Sequence, residues 1–271
     1  MILVTGATDG LGQAVASQLA GRGAALLLHG RDDARLARAA DRIRAEGNED
    51  VHTYRADFSS LDEVAEMAER ILRDQDRIDV LVNNAGVGST LPGDGKRMES
   101  RDGHELRFAV NYLAHFLLTR RLASLIRDSA PARIVNVSSA GQTAIDFDDV
   151  MLERSYDGMR AYCQSKLAQV MFTFDLAEKL GDTGVTVNCL HPASLMPTKI
   201  VMHARGHAVS TLEEGLEATL RLAADPELDG VSGRYFDGQS EARAHAQAYD
   251  ADARHRLRKL SERLVGLKLG G

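Results

Sequence analysis

Short aliphatic runs that lack polar alternation constrain this 271-residue chain more than any other feature. Segments 2–5 (ILVT), 24–30 (AALLLHG), 51–56 (VHTYRA), 79–86 (DVLVNNAG), 133–139 (RIVNVSS) and 185–192 (VTVNCLHP) read as strands that are apolar on both faces. Such strands need cover above and below, as in a parallel sheet held between layers of helices. Helical patterns over 11–22, 33–46, 61–74, 101–128, 158–180 and 212–224 supply that cover. Ser60 and Glu63 have the spacing of a capping box at the start of the third. A shorter run at 234–236 (RYF) offers a seventh strand. The alternation predicts right-handed crossovers and an α/β fold, a Rossmann-like doubly wound parallel sheet of six or seven strands with helices on both faces. No repeat, low-complexity segment or linker breaks the pattern, so 1–271 reads as a single domain with a tail from about 240.

Composition narrows the function classes. Hydrophobic residues make up 44%, enough for a core, and 39 acidic against 33 basic residues leave a charge of −6. No nucleic-acid partner is expected from that balance. Cys163 and Cys189 are too few for a disulfide framework and suit a reducing compartment. No apolar run approaches the ~20 residues that span a bilayer, and "MILVTG" enters a strand at once, without a signal-peptide pattern. The expectation is a cytoplasmic protein. No cluster has metal-ligand spacing, so no metal is expected.

Every chemical motif falls where a strand ends or a helix begins, the place where doubly wound sheets bind ligands. After the first strand comes "TGATDGLG", whose glycines permit close backbone approach ahead of a helix N-terminus with unpaired N–H groups. Gly6, Thr8, Asp9, Gly10, Leu11 and Gly12 are the candidate pyrophosphate contacts; a tight turn without a ligand is the structural alternative. An acid ending the second strand would mark NAD, but Gly30 stands there and Arg31 follows. An arginine can fork onto a 2′-phosphate, so NADP(H) is favoured over NAD(H). A solvated surface arginine is the alternative. Asp32 and Asp33 suit the cap of the next helix. Asp57 and Phe58 follow the third strand; Asp57 either accepts from the adenine amino group or orders the turn. In "NNAG", Asn83, Ala85 and Gly86 are candidate cofactor contacts, while Asn84 is compatible with a structural role.

Tyr162 and Lys166 lie four apart in a helical pattern, about one turn, and so share a face. A free phenol titrates near 10 and is a poor base at neutral pH. An ammonium about 5 Å away favours the phenolate by about 3 kcal/mol at an effective dielectric of about 20, roughly two pH units.

"TGATDGLG", "NNAG", Asn111 in "AVNYLAHF", "RIVNVSS" and "YCQSK", in that order, resemble the short-chain dehydrogenase/reductase family over about 1–238. "AYCQSKLAQVMFTFDLA", "LHPA" and "SERLVGL" resemble its retinol dehydrogenase-like branch. The resemblance implies an oxidoreductase that moves hydride between a nicotinamide and a small-molecule carbonyl or alcohol, in either direction. Tyr162 is then the general acid/base, and Tyr162 and Lys166 also contact the cofactor. Ser139 positions the substrate oxygen, with Ser138 as its alternative. Asn111 belongs to a proton relay through water to Lys166, or is merely a helix irregularity. Pro192 lies at the nicotinamide. Thr198 bonds its carboxamide, or the backbone of Leu195 does so in its place. The family usually has Pro-Gly where this chain has Pro192-Ala193. His191 near this point is more readily structural. Rival readings are a non-catalytic NADP(H)-binding sensor of the same fold, which loss of Tyr162 or Lys166 would have favoured, and a nucleotide-sugar epimerase or dehydratase, which would have a longer C-terminal region.

Three irregular stretches, 87–102, 140–160 and 194–210, should wall the substrate pocket. In the second, Phe147, Met151 and Leu152 are expected to meet a lipophilic substrate, and Asp146, Asp148, Asp149 and Glu153 to form a solvated rim. The basic, amphipathic 254–271 is expected to dock on the domain or on a second copy rather than on a membrane surface; the resemblance allows a homo-oligomer.

Overall fold

Successive residues of the central strands enter different cores. The strands are β1 (Ile2–Val4), β2 (Leu26–Gly30), β3 (Val51–Arg55), β4 (Val80–Asn83), β5 (Ala132–Val137), β6 (Val185–His191), β7 (Tyr235–Asp237) and β8 (Ser240–Ala242). Leu3, Leu27, Leu81, Ile134 and Val187 point into one apolar cluster. Their neighbours Val4, Leu28, Val82 and Val135 point into the other. This is the period-two geometry of a strand with both faces covered. The computed structural model describes residues 1–90, 96–194, 196–197 and 206–267.

Among the described residues eight strands join one sheet in the order β3-β2-β1-β4-β5-β6-β7-β8. The first seven are parallel, in registers such as Leu3↔Leu27 and Leu3↔Leu81, whereas β8 returns antiparallel to β7. The seventh strand is present. The eighth escapes a reading of apolar runs because its sequence is Ser-Glu-Ala, and its Ser240 and Glu241 are exposed. Helices α1 (Gly10–Gly21) and α2 (Asp33–Ala45) cover one face, and α3 (Leu61–Asp74) covers the other.

The helix expected over 101–128 begins later and is not uniform. Gly103 takes φ +79°, and a bridge between Glu99 and Glu105 folds the preceding residues into a turn. Helix then runs as α4 (Leu106–Phe108), a wider π-helical stretch (Ala109–Leu113) containing Asn111, and α5 (Ala114–Asp128). The long α6 (Gly158–Leu180) and α7 (Leu212–Ala224) match their predicted spans. At α3 the expected capping box is half formed. Ser60 Oγ accepts from the Glu63 N–H at 3.4 Å, but the Glu63 carboxylate accepts from the Asp57 N–H and from Arg55 and Arg101. A complete box, Thr211 with Glu214, caps α7.

The C-terminal α8 (Ala251–Leu264) docks on this same chain. Its basic residues meet acids of α6, Arg258 with Asp175 at 2.6 Å and Arg254 with Glu178, and Ser261 Oγ lies 2.7 Å from Tyr112 Oη. Leu257 is buried in the core on that side. Among the described residues no helix is long and apolar enough to cross a membrane.

Candidate active site

The chain order reverses where β1 lies between β2 and β4, and there the loops beyond the two strand ends part to leave a crevice. Thr5 fastens its two lips. Its buried Oγ1 accepts the N–H groups of Asn84 (2.8 Å) and Ala85 (3.0 Å) and can donate to the Val82 carbonyl (3.2 Å) or to His115 Nε2 (3.3 Å). The Asn84 amide returns a bond to Thr5 O at 2.8 Å, which gives it the structural role. A cavity of about 950 Å³ opens over this junction.

Glycine is required at the loop by geometry. Gly6 has φ +67°, and a Cβ there would stand 2.9 Å from Ala85 Cα. A Cβ on Gly12 would stand 2.4 Å from the Gly6 carbonyl oxygen. Gly6, Thr8, Asp9, Gly10, Leu11 and Gly12 all line the cavity, with the N-terminus of α1 facing it. Asp9 caps that helix, accepting from the Gly10 N–H at 2.9 Å. From behind, the buried His29 ring accepts the Gly6 N–H at Nδ1 (3.2 Å) and donates from Nε2 to the Ala56 carbonyl (3.0 Å). Burial lowers its pKa to about 4, against the pull of that carbonyl and of Asp57, so the ring is neutral. Phe58 stacks on it at 4.1 Å between centroids.

Arg31 is exposed and lines the cavity beyond β2, and Arg35, in the first turn of α2, lines it too. Arg35 was not anticipated, although "RDDAR" places it four residues after Arg31. At the end of β3, Asp57 and Phe58 also line the cavity. Burial pushes the Asp57 carboxyl upward, but hydrogen bonding from Ser59 and the charges of Arg101 and Arg31 outweigh it and hold the group below its ordinary range. The Ser59 N–H to Asp57 Oδ1 bond (2.9 Å) shows that Asp57 orders the turn while one side of it faces the cavity.

Ala85 and Gly86 line the cavity, whereas Asn83 requires a correction. Its side chain is fully buried in the sheet, donating to Asn136 Oδ1 (2.8 Å) and Thr119 Oγ1 (3.0 Å). In "NNAG" the strand pleat turns the first asparagine inward and leaves the next three residues for the crevice.

The opposite end carries the acid/base residues. Ser138 and Ser139 point in opposite directions, as the pleat requires. Ser138 Oγ donates to the Lys166 carbonyl at 2.8 Å, away from the chemistry. Ser139 Oγ accepts the Gly141 N–H at 3.0 Å and hydrogen-bonds Tyr162. Lys166 Nζ lies 5.8 Å from the Tyr162 ring centroid. The lowered phenol expected from the pair is not the state of this structure: burial raises the Tyr162 pKa, partly opposed by the Ser139 bond. Burial likewise lowers the Lys166 ammonium to about 7, which weakens the charge that would favour the phenolate. Asn111 is committed to the chain beyond β4, its Oδ1 accepting the Val87 N–H (2.8 Å) and its Nδ2 donating to Val87 O (3.1 Å) and Ser165 Oγ (3.0 Å).

Pro192 and His191 line the cavity after β6, and His191 Nε2 lies 3.1 Å from Ser194 Oγ, a structural pairing. Thr198 and Leu195 lie outside the described residues. The expected substrate contacts of the second irregular stretch are corrected. Leu152 is fully buried in the core, Met151 Sδ accepts the Glu105 N–H, and Phe147 packs under Arg256. Apolar lining comes instead from Val87, Leu106, Val110, Met159 and Met196. The wall is braced by a buried Glu105–Arg107 pair at 3.5 Å; Arg107 also donates to the carbonyls of Gly88 and Ser89 and to Tyr156 Oη.

The cavity therefore runs past the ends of β3 through β6. Arg31 after β2 and Ser139 after β5 are three strand spacings apart, about 14 Å. The glycine cradle between them leaves no space for a Cβ, and helix N–H groups face it. These residues fit an extended dinucleotide, its anionic centre at α1 and its ring beside Tyr162. Among the described residues no cluster suits a metal ion.

The short chain dehydrogenase family model matches residues 1–208. The chain is 41% identical over 287 aligned residues to retinol dehydrogenase 13 of Mus musculus, covering 99% of this chain and 84% of that protein. An uncharacterised protein from Mycobacterium paratuberculosis superposes with a TM-score of 0.80 at 25% identity, over 100% of this chain and 94% of its own. The Pseudomonas aeruginosa RhlG/NADP active-site complex superposes with a TM-score of 0.71 at 27% identity, over 87% and 93%.

Proposed function

Since this chain belongs to the short-chain dehydrogenase family of oxidoreductases, we propose that it uses NADP(H) to interconvert a lipophilic alcohol and its carbonyl, with Tyr162 as the proton donor and acceptor. The observation that carries this reading is the convergence of Tyr162, Ser139 and Lys166 at the opposite end of one cavity from Arg31 and Arg35. When bound, the nicotinamide supplies or accepts the hydride at its C4. Ser139, its oxygen already engaged by the Gly141 N–H, offers its O–H toward the reacting oxygen and helps fix it. Tyr162 gives that oxygen a proton as a carbonyl is reduced, or takes one as an alcohol is oxidised. Protonated Lys166 favours the phenolate form of Tyr162 and connects it, through water and the Asn111 segment, to solvent. Lys166 Nζ donates to the last carbonyl of β5, and Asn111 lies in the π-helical stretch.

NADP(H) is favoured over NAD(H) because two arginines and no carboxylate follow β2 on the cavity wall, and a guanidinium can fork onto a 2′-phosphate. The apolar lining from Val87, Leu106, Val110, Met159 and Met196 suits a lipophilic substrate. A retinoid alcohol or aldehyde is the first to assay, given the name of the mouse relative.

The test is fluorescence titration with NADPH and NADH, followed by turnover assays with retinoid and simpler aldehydes. Arg31→Ala should weaken NADPH binding about 10- to 100-fold, the worth of a charge-assisted contact, and leave NADH nearly unchanged. Tyr162→Phe should bind NADPH and fail to turn over. Equal losses for both cofactors would refute the phosphate assignment, and an active Tyr162→Phe would refute the acid/base role.

A further inference from the structure

Lys166 occupies a position that ought to discharge it. Nζ is buried, desolvation alone lowers its ammonium to about 7, and among the described residues no carboxylate pairs with it. Two acceptors stand within reach. One is the carbonyl of Val137, the last residue of β5, at 3.0 Å; the other is Gln169 Oε1 at 2.9 Å. Gln169 lies three residues further along α6, on the same helical face, and is itself 1% exposed. A lysine ammonium has only donors, so the amide must present its oxygen to Lys166 and its nitrogen to the other side. That nitrogen abuts the His115 ring at 3.4 Å from Nδ1. His115 Nδ1 donates to the carbonyl of Asn111 at 2.9 Å, and its Nε2 faces Thr5 Oγ1.

We infer that Gln169 is a positioning residue for Lys166: its amide oxygen accepts from the ammonium and holds it charged and aimed along the cavity wall. The inference rests on the oxidoreductase reading for its effect on turnover, though not for its effect on the lysine. The other titratable groups around Lys166 cannot replace the amide. Tyr162, on α6 itself, is the group to be served. His115, on α5, is held neutral by burial at about 3, and His191, at the end of β6, is lowered by burial as well. Gln169 is therefore the one side chain recorded as accepting from the ammonium among the described residues. A bond from a charged donor is stronger than a neutral one, and more so away from water.

Gln169→Met keeps the length and bulk of the side chain and removes the acceptor; Gln169→Glu keeps an acceptor and adds charge. The direct readout is a heteronuclear NMR titration of the Lys166 side-chain ¹³Cε signal, assigned with Lys166→Arg, on the full chain. The midpoint should fall by about one pH unit or more in Gln169→Met and rise in Gln169→Glu. In alcohol oxidation, the ascending limb of kcat against pH should move to higher pH in Gln169→Met, with substrate KM little changed. A Lys166 midpoint left in place by Gln169→Met would overturn the inference. If Gln169→Met does not fold, Gln169→Leu, which also lacks an acceptor, takes its place, since the charge added in Gln169→Glu raises the midpoint whatever the amide does. Absence of turnover in wild type with every alcohol and aldehyde would sink the oxidoreductase reading and leave the NMR result to judge Gln169.

Discussion

Replacing the Thr5 hydroxyl with a methyl group, Thr5→Val, isolates the bond that joins the two lips of the crevice. Thr5 Oγ1 is fully buried and accepts two backbone N–H groups, those of Asn84 and Ala85. Valine has nearly the same shape and can accept neither. A donor left without a partner costs about 1–3 kcal/mol when buried; these two are part-buried, so about 2–6 kcal/mol is the upper range for the pair. The methyl group recovers part of this, because it no longer carries a hydroxyl into the interior, and about 2–4 kcal/mol remains. At roughly 2 °C per kcal/mol for a chain of this size, Tm should fall by about 4–8 °C. Differential scanning calorimetry of wild type, Thr5→Val and Thr5→Ser measures it, with serine recovering most of the loss because its hydroxyl can accept both bonds. Cofactor affinity should follow stability, since Asn84 and Ala85, which carry the freed amides, line the cavity with Gly86. A Tm shift below about 1 °C, or a serine variant no better than valine, would refute the argument that this hydroxyl fixes the junction.

Arg107→Met should destabilise the chain by about 3–5 kcal/mol by leaving Glu105 buried without its partner; the double variant with Glu105→Gln should recover much of that in chemical unfolding. Acid should also act through His29, whose pKa is about 4 in the fold against 6.5 for a free imidazole. Between those values the unfolded chain binds the extra proton, so the contribution is complete above pH 6.5 and is lost as pH falls toward 4, about 3 kcal/mol in all. Thermal melts at pH 7.5 and 4.5 should therefore converge in His29→Gln relative to wild type, and equal acid sensitivity in the two would exclude His29 as a source.

Much of the site was legible because its requirements are local. The glycines of "TGATDGLG" and the one-turn spacing of Tyr162 and Lys166 follow from backbone geometry, and the structure gathers both around one cavity. The pleat alone separates Ser138 from Ser139. Residues whose meaning depends on distant partners were less legible. Asn83 and Asn84 are adjacent in a motif, yet one is sealed in the sheet by Asn136 and the other reaches across to Thr5, because β5 and β1 flank β4 on opposite sides. Phe147 and Leu152 look like substrate contacts in a loop rich in acids, and nothing local says that they pack inward.

The sequence by itself determined the doubly wound sheet, since strands apolar on both faces and separated by helices have few other ways to bury themselves. It also determined the place of the glycine cradle and the Tyr162–Lys166 face, which need only residues close together in the chain. Tertiary structure decided the electrostatics. Whether Lys166 is charged, whether the Tyr162 phenol is raised or lowered, and whether Gln169 and His115 meet depend on desolvation and on partners carried by other elements of the fold. Spacing along a helix fixes distance and direction; it does not fix how much water remains around a charge, and that is set when α6 packs against the end of β5.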